Sequence, residues 1–234
     1  MPVFRASRIG DLMGVKGLGK TGETFIEDVF LQEKYGFRED VQTKEMLKGH
    51  LCERESMDLI QSVLGGERRS RNTKFFEDKS LNICGTPDII LQKEDCIEDI
   101  KNSWNIRTFL RCELKPIYYW QGVSYMLLTG KNHYRLIYTL NPTPFELIEQ
   151  EKKRLYFQFE CDEENEDYIR MCNQIDHNNN IITKMPLEDR VFIFEWDLTE
   201  ESVEKLNDRV KQALKIYKEI EKKGIGNGKQ FKLK

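Results

Sequence analysis

The sequence lacks the features that mark membrane-spanning proteins and cysteine-based metal proteins. No apolar run approaches the roughly 20 residues that a membrane helix needs, and no signal peptide precedes the charged N-terminal segment. The six cysteines show no C-x-x-C spacing and the three histidines are scattered, so a zinc or iron–sulfur site has no support. We therefore expect a soluble, intracellular protein with reduced, mostly buried thiols.

An excess of positive charge is also missing. Lys and Arg total 37 against 40 for Asp and Glu, which gives a net charge of −3 at pH 7. This balance argues against a broad surface that coats nucleic acid, so a polyanionic partner would have to bind a local patch. Residues 65–74 form such a patch, with three arginines and a lysine. They are a candidate contact for DNA phosphates.

Three ionisable groups fall on a stretch whose pattern predicts one β-hairpin. Residues 83–91 form its first limb, residues 92–95 its turn and residues 96–101 its second limb. Side chains alternate between the faces of a strand, so Asp99 and Lys101 project from the same side. Asp88 follows a proline on the first limb and can lie beside them. Such a carboxylate pair can hold Mg²⁺, and a lysine beside the ion could orient or deprotonate the attacking water.

Two helices are predicted to frame this hairpin. Residues 43–64 read as one long helix whose apolar residues bury one side, namely Met46, Leu47, Leu51, Met57, Ile60 and Leu64. Residues 116–129 read as a second helix with proline in its first turn. Near the N-terminus, Ser7 is a plausible N-cap for a short helix.

The pair Pro87-Asp88 with Asp99-x-Lys101 resembles the core motif of the PD-(D/E)XK nuclease superfamily. An ordinary hairpin with a surface ion pair fits that motif as well, so the flanking segments decide. Glu53 stands four residues after a glycine, as in the G-x-x-x-E helix that carries an extra metal-facing carboxylate in exonucleases of the phage lambda type. Gln121 and Tyr125 match the Q-x-x-x-Y element of RecB-type and lambda-type nucleases, which lies against the active site and helps to position DNA.

The lambda-type resemblance also implies a pocket for a 5′-phosphate. In that family an arginine six residues beyond the motif lysine belongs to the pocket, and Arg107 matches this position. The family pocket also draws on a serine in an N-terminal A-S segment and on a small hydroxyl residue before the Pro-Asp pair, which are Ser7 and Thr86 here. A further family arginine has no clear counterpart, since Arg5 lies too close to the serine.

Together these matches resemble a lambda-type (YqaJ-like) viral exonuclease over about residues 5–141. The resemblance implies an α/β fold with a restriction-endonuclease-like core, in which a central mixed β-sheet is flanked by helices. It also implies Mg²⁺-dependent hydrolysis of linear double-stranded DNA, 5′ to 3′ from its ends, in recombination by strand annealing, with Mn²⁺ able to substitute. The expected partners are DNA ends, a single-strand annealing protein and further copies of the chain in a ring trimer. The expected location is the cytoplasm of a bacterial host if a phage encodes the protein.

The resemblance assigns a role to each of these residues. The catalytic residue beside the metal is Lys101, and the metal ligands are Asp88, Asp99, the backbone carbonyl of Ile100 and Glu53. The expected DNA contacts are Arg107, Gln121, Tyr125, Ser7 and Thr86. We predict a single nuclease domain over residues 1–234, with a catalytic core at about 40–141. A strand and helix at 190–223 complete it, and residues 224–234 form a frayed tail.

Three alternatives stay open. A structure-specific DNA endonuclease would use the same core, and a catalytically silent relative would only bind DNA. The third is a P-loop nucleotide hydrolase, because the segment from Gly14 to Thr21 matches G-x-x-x-x-G-K-[ST]. A P-loop needs a buried strand directly before it and a helix directly after it. Only the helix is predicted here, so a mobile Gly/Lys loop is favoured.

Overall fold

The computed structural model describes residues 2–39, 42–160 and 162–225, so the predicted tail at 224–234 lies outside the described residues from position 226 onward. The strands are β1 (Phe4–Arg5), β2 (Phe76–Asp78), β3 (Ile83–Gly85), β4 (Ile89–Ile90), β5 (Cys96–Asn102), β6 (His133–Thr139) and β7 (Val191–Asp197). The α-helices are α1 (Gly19–Tyr35), α2 (Lys44–Leu51), α3 (Glu53–Leu64), α4 (Ile106–Leu110), α5 (Pro116–Thr129), α6 (Phe145–Gln158), α7 (Glu166–Lys184) and α8 (Glu200–Lys223). Short 3₁₀ helices span Ala6–Leu12 and Glu188–Arg190.

The strands form two mixed sheets with helices packed around them. In the smaller sheet, β3 lies between β1, to which it is parallel, and β2, to which it is antiparallel. The larger sheet has the order β4-β5-β6-β7, and its central pair β5–β6 is parallel. A parallel pair needs a long crossover, which α4 and α5 supply here. The predicted α/β class with a mixed sheet flanked by helices is confirmed.

The predicted hairpin forms only in part. β4 pairs antiparallel with β5, with Ile89 opposite Glu98. Residues 83–85 instead belong to β3 in the smaller sheet, so the prediction of one continuous first limb was wrong. Pro87 gives the physical reason, because it has no N–H to continue a ladder and the chain crosses between the sheets around it. Asp88 therefore stands at the junction of the two sheets.

The predicted single helix at residues 43–64 is two helices, α2 and α3, which meet at Cys52 with φ −96° and ψ 11°. The predicted buried face forms only in part: Ile60 has no exposed surface, but Met46 is 60% exposed and Leu51 47% exposed. The buried side also carries Lys48, Cys52 and Ser56, which the predicted apolar face did not include. These residues follow one another at intervals of four, which is the spacing of a single helix face.

Hydrogen bonds to the larger sheet explain why this polar face is buried. The Ser56 hydroxyl lies 3.0 Å from the Thr139 hydroxyl. It also accepts hydrogen bonds from the side-chain amides of Asn102 at 2.9 Å and Asn141 at 2.8 Å. Buried polar groups need such partners, and a serine that satisfies three of them is more stable inside than a methionine at the same place would be. The polar partners on the sheet thus decide which side of α3 is buried.

The apolar core packs the first 3₁₀ helix, α1, α5 and α8 against the sheets, and its fully buried members include Ile9, Ile26, Met126, Leu136 and Ala213. Burial of this apolar surface is the main force that holds the helices in place. The helix α5 has the predicted bounds, with proline in its first turn. No helix in the described part of the chain has both the length and the apolar character needed to span a membrane.

Residues 14–18 form a tight turn between two helices, and residues 19–21 of the matched segment already belong to α1. The 3₁₀ helix Ala6–Leu12 occupies the place where a P-loop has its strand, and α1 begins at Gly19, whose φ of 65° favours glycine. A Cβ on Gly14 would lie 2.4 Å from the carbonyl oxygen of Gly17. The guanidinium of Arg209 on α8 also donates to the Gly14 carbonyl at 3.0 Å. The turn itself therefore accounts for the glycines of this segment.

Candidate active site

A cleft of about 600 Å³ lies between α2, α3, the β4–β5 pair and the start of α5. Four of the predicted site residues line it, namely Glu53, Asp88, Ile100 and Lys101. The fifth member of the predicted centre, Asp99, is buried with 1% exposure and forms an ion pair with Lys101. The structure thus brings the predicted catalytic and metal-binding residues to one place.

The strand β5 sets the geometry of the three central groups. Asp99 and Lys101 stand two residues apart on the same face, as predicted, and the Lys101 ammonium contacts Oδ2 of Asp99. The backbone N–H of Ile100 donates to Oδ2 of Asp88 at 3.0 Å. Asp88 is therefore held against the backbone of the segment that separates Asp99 from Lys101.

The charges in this cleft perturb one another strongly. Burial and then the neighbouring charge of Asp99 raise the pKa of Asp88 to about 7. Burial alone would lower the pKa of Lys101, but the charges of Asp99 and Asp88 outweigh it and raise that pKa. Two carboxylates that lie close together, with a single cation beside them, form a centre that favours further positive charge.

The helix α5 contacts Asp99 from the interior of the protein. Nε2 of Gln121 lies 3.2 Å from Oδ1 of Asp99 and 3.4 Å from the Tyr125 hydroxyl. Both side chains are buried, and Tyr125 packs against Gly85, where an added Cβ would approach its ring to 2.6 Å. The structure places the Q-x-x-x-Y pair against the active site, as the resemblance implied. Gln121 contacts the carboxylate directly, Tyr125 contacts Gln121, and both side chains are buried.

The two hydroxyl residues of the implied phosphate pocket lie at the end of the smaller sheet. The parallel pairing of β1 with β3 puts Arg5 opposite Cys84, so Ser7 and Thr86, each two residues further on, leave the same end of the sheet. Both side chains are exposed. Ser7 is not the predicted N-cap, because the 3₁₀ helix begins at Ala6 and Arg5 is its cap residue.

Arg107 lies apart from the carboxylates. It is exposed on α4 and lines a second pocket of about 570 Å³. Trp104 borders both this pocket and the catalytic cleft. The cationic side chains that enter the cleft from this side are Arg111 and Lys115, which the sequence motifs do not single out. Arg107 and Lys101 thus line different pockets, which have Trp104 in common.

Glu53 is the first residue of α3 and lines the cleft, but its carboxylate pairs with Arg71 at 2.9 Å. Among the residues described, no three His, Cys, Asp or Glu side chains gather closely enough to hold a metal ion. The pair Asp88 and Asp99 nevertheless suits a divalent cation. Oδ2 of Asp99 is buried, and its contact is the Lys101 ammonium, so two carboxylates share one cation here. Mg²⁺ commonly binds through one or two carboxylates and keeps several waters, which fits this donor set.

Sequence reasoning missed a buried lysine behind the cleft. Lys48 has no exposed surface, and its ammonium donates to the carbonyls of Ser103 at 2.9 Å, Trp104 at 3.0 Å and Asn141 at 2.7 Å. Burial lowers the pKa of Lys48 to about 8, so it stays charged at neutral pH and uses all three N–H donors. The signal in the sequence was the four-residue interval from Lys48 to Cys52 and Ser56, which marks a buried face.

A buried ion pair on the other face of β5 was missed as well. Glu98 has no exposed surface and accepts two hydrogen bonds from Arg69, at 2.7 and 2.9 Å, and one from Arg135 at 3.2 Å. Strand alternation had placed Glu98 opposite to Asp99, and the structure confirms this placement. Arg69 belongs to the basic segment that was predicted to contact DNA, but its guanidinium is inside the protein.

No protein family model and no curated protein matches the sequence, whereas solved structures match the fold. A phage-related exonuclease from Haemophilus somnus 129PT has a TM-score of 0.74 at 20% identity, over 94% of this chain and 96% of that chain. An alkaline exonuclease, LHK-Exo from Laribacter hongkongensis, has a TM-score of 0.62 at 13% identity, over 94% of this chain and 92% of that chain. The structure of LHK-Exo in complex with dAMP has a TM-score of 0.63 at 15% identity, over 94% of this chain and 90% of that chain. The resemblance drawn from the sequence motifs is thus confirmed for the fold, which this chain shares with phage-related and alkaline exonucleases.

Proposed function

We propose that this protein is a metal-dependent deoxyribonuclease that hydrolyses phosphodiester bonds of DNA. The observation that carries the proposal is the meeting of Asp88, Asp99 and Lys101 at one cleft, where burial and then the charge of Asp99 raise the pKa of Asp88. A structural ion pair between Asp99 and Lys101 would not need a second carboxylate beside it. The fold shared with exonucleases supports the same reading.

Mg²⁺ is the cofactor that suits this site, and Mn²⁺ would be able to replace it. Asp88, Asp99 and the carbonyl of Ile100 would hold the ion, and Glu53 would join them on leaving Arg71. A bound divalent cation supplies acidification of a water molecule and stabilises negative charge on the scissile phosphate. The hydrogen bond from Gln121 orients Asp99 for this task.

Lys101 holds a proton at the centre of the cleft. Its pKa is raised by the nearby carboxylates of Asp99 and Asp88, so the ammonium form persists at neutral pH. In that form it can donate hydrogen bonds that orient the attacking water or a phosphate oxygen. It can accept a proton only after the aspartate charges are neutralised, so its role as a base depends on an occupied cation site. The ring of Tyr118, whose centroid lies 5.1 Å from the ammonium, supports its position.

The finer proposal is an exonuclease that degrades linear duplex DNA from 5′ to 3′ and serves recombination by strand annealing. The sequence resemblance to lambda-type exonucleases supports it, together with the two neighbours that are exonucleases. The same resemblance adds a single-strand annealing protein as partner, a ring-shaped trimer and the cytoplasm of a bacterial host as the location. A structure-specific endonuclease would share the core, so the substrate experiment has to separate the two.

The decisive experiment compares three DNA substrates in the presence of Mg²⁺. These are linear duplex with 5′-phosphate, the same duplex with 5′-hydroxyl, and closed-circular duplex of equal length. We expect degradation of both linear forms, no cleavage of the circle, and no cleavage of any substrate in EDTA. Cleavage of the circle would favour an endonuclease. A purified, folded protein that leaves all three intact with Mg²⁺ or Mn²⁺ would contradict the proposal.

Arg107 offers a test of end recognition. A guanidinium can hold a terminal phosphate through two parallel hydrogen bonds. If it does so here, the wild type degrades phosphorylated ends faster than hydroxyl ends, and Arg107→Ala selectively slows the phosphorylated substrate. Arg111→Ala is the matched control, because Arg111 enters the cleft itself and its loss should slow both substrates alike. An unchanged ratio in Arg107→Ala would show that Arg107 has no part in end recognition.

A further inference from the structure

Beside the catalytic cleft runs a second groove, of about 530 Å³, between α3 and residues 65–74. The two share His50, Glu53, Met57 and Arg71 on their walls, so they form one continuous channel. We propose that this groove, named here the backbone groove, binds the phosphate backbone of one DNA strand and leads it to Asp88 and Lys101. The inference rests on the proposed function and locates part of its substrate.

The wall formed by residues 65–74 is fixed on the catalytic centre. The buried guanidinium of Arg69 is held by Glu98 on β5 and also donates to the Gly65 carbonyl at 2.8 Å. Three residues later, the backbone N–H of Asn72 donates to the carbonyl of Asp88 at 2.7 Å, and its side chain donates to the carbonyl of Pro87 at 2.9 Å. The segment is therefore tied to both carboxylate-bearing stretches, and its backbone has a set position relative to the cleft.

These anchors divide the arginines of the region into two kinds. The charge of Arg69 is neutralised inside the protein by Glu98. Arg54 and Arg68 line the groove, are exposed, and form no ion pair with any residue that the structure describes. Arg71 is 55% exposed and pairs with Glu53 alone. The groove thus presents guanidinium groups whose charge is free or only partly neutralised.

Phosphodiester backbone is the ligand that this surface fits. The aspartates in the cleft repel a polyanion, and the whole chain carries a net charge of −3, so attraction has to come from nearby cations. Two acidic residues, Glu53 and Asp58, also line the groove, but the arginines outnumber them. Leu51 and Met57 add apolar surface on the same wall, which suits the sugars between phosphates. Pre-positioned arginines bind at a lower entropic cost than mobile ones.

The test measures how DNA binding depends on salt, because each lost phosphate contact reduces the slope of log K against log salt by about 1. Fluorescence anisotropy with labelled duplex would follow binding in an Asp99→Asn background, which is expected not to cleave it. The test variant is Arg54→Ala/Arg68→Ala. The control is Arg170→Ala/Lys211→Ala, which removes the same charge from exposed positions on α7 and α8. The anchor Arg69 is left intact, because its removal would disturb folding.

We expect the test variant to bind about 10-fold more weakly at 50 mM salt and to lose about 2 from the slope, while the control keeps the slope of the background protein. An unchanged slope in the test variant would overturn the backbone groove and leave the proposed function standing, provided that the wild type cleaves DNA. Equal losses in test and control would also overturn it, since the effect would then be one of net charge. A wild type that neither binds nor cleaves DNA would overturn the groove and the proposed function together.

Discussion

The two faces of β5 carry adjacent buried carboxylates in opposite situations. Glu98 accepts three hydrogen bonds from two guanidinium groups. Asp99, the next residue, has one amide donor from Gln121 and the Lys101 ammonium at its other oxygen. It also faces a second carboxylate, that of Asp88. The Glu98 face is complete as a structural ion pair, whereas on the Asp99 face two carboxylates share one ammonium, which favours the addition of another cation.

This difference distinguishes a buried charge that stabilises the fold from a buried charge that can take part in a reaction. A buried charge that serves stability is matched by opposite charge and hydrogen bonds. A buried charge that serves chemistry is left partly unmatched, so that a substrate or cofactor completes it. Substitutions that remove one charge from each face should therefore have opposite consequences for activity and for stability.

The largest expected effect is on activity. Asp99→Asn keeps the size of the side chain and removes the charge that would hold the cation, so we expect DNA cleavage to fall by about 100-fold or more. Folding should be retained, and without metal the thermal stability should be unchanged or raised, because repulsion of Asp88 is relieved. Rates on linear duplex with Mg²⁺ and circular dichroism melting measure the two quantities. Wild-type rates in this variant would refute the assignment of the site.

The second effect is on the stability of the folded protein and concerns Glu98, on the opposite face of β5. Glu98→Gln leaves the buried guanidinium of Arg69 without its counter-charge, which should lower the free energy of unfolding by about 3 to 5 kcal/mol. Denaturant titration measures it. Glu94→Gln is the control, because Glu94 pairs with Arg135 at a half-exposed position, where a loss of less than about 1 kcal/mol is expected. Equally small losses of unfolding free energy in both variants would show that the ion pair of Glu98 with Arg69 does not stabilise the fold.

The third prediction concerns the effect of added Mg²⁺ on the stability of the folded protein. If the Asp99 face receives Mg²⁺, saturating metal should stabilise the folded protein by about 2.7 kcal/mol at 100 times the dissociation constant. The melting temperature should rise with Mg²⁺ in the wild type and in Glu98→Gln, because that variant keeps both Asp88 and Asp99. It should not respond in Asp99→Asn. A Mg²⁺ response in Asp99→Asn equal to that of the wild type would place the cation elsewhere.

The smallest effect concerns pH and the buried Lys48. Its pKa is lowered to about 8 in the folded protein by burial, against an ordinary value of 10.5. The unfolded chain therefore binds more protons than the folded one between about pH 8 and 10.5, so this group makes folding more favourable as pH rises through that window. Lys48→Met should lose this slope. A wild type that becomes less stable relative to Lys48→Met across the window would show that the three carbonyl acceptors raise the pKa of Lys48 instead.

The sequence predicted the elements whose cause is local. The bounds of α5 follow from Pro116 at the first turn and Gly130, with φ 72°, directly after the last. The start of α8 follows from Thr199, whose side chain forms a capping box with Ser202. The shared face of Asp99 and Lys101 follows from the two-residue period of a strand. Each of these inferences needs only a few neighbouring residues, so tertiary contacts did not overturn them.

The predictions failed where distant contacts decide the outcome. The burial of Ser56 depends on Thr139, Asn102 and Asn141, which lie far along the chain. No local pattern could assign Arg69 to the interior and leave Arg68 outside, because the difference is set by the ion pair of Arg69 with Glu98.

The sequence by itself determined which residue types and spacings could build a carboxylate and lysine centre, because alternation along a strand and helical periodicity are properties of the backbone. Tertiary structure decided which of those charges is fully paired inside the protein. It pairs Glu98 with Arg69 and buries the Lys48 ammonium among backbone carbonyls. It also turned Asp88, at the junction of two sheets, toward Asp99. The physical reason is that desolvation and charge pairing depend on distance in space, and folding brings together groups whose separation in sequence carries no information about that distance.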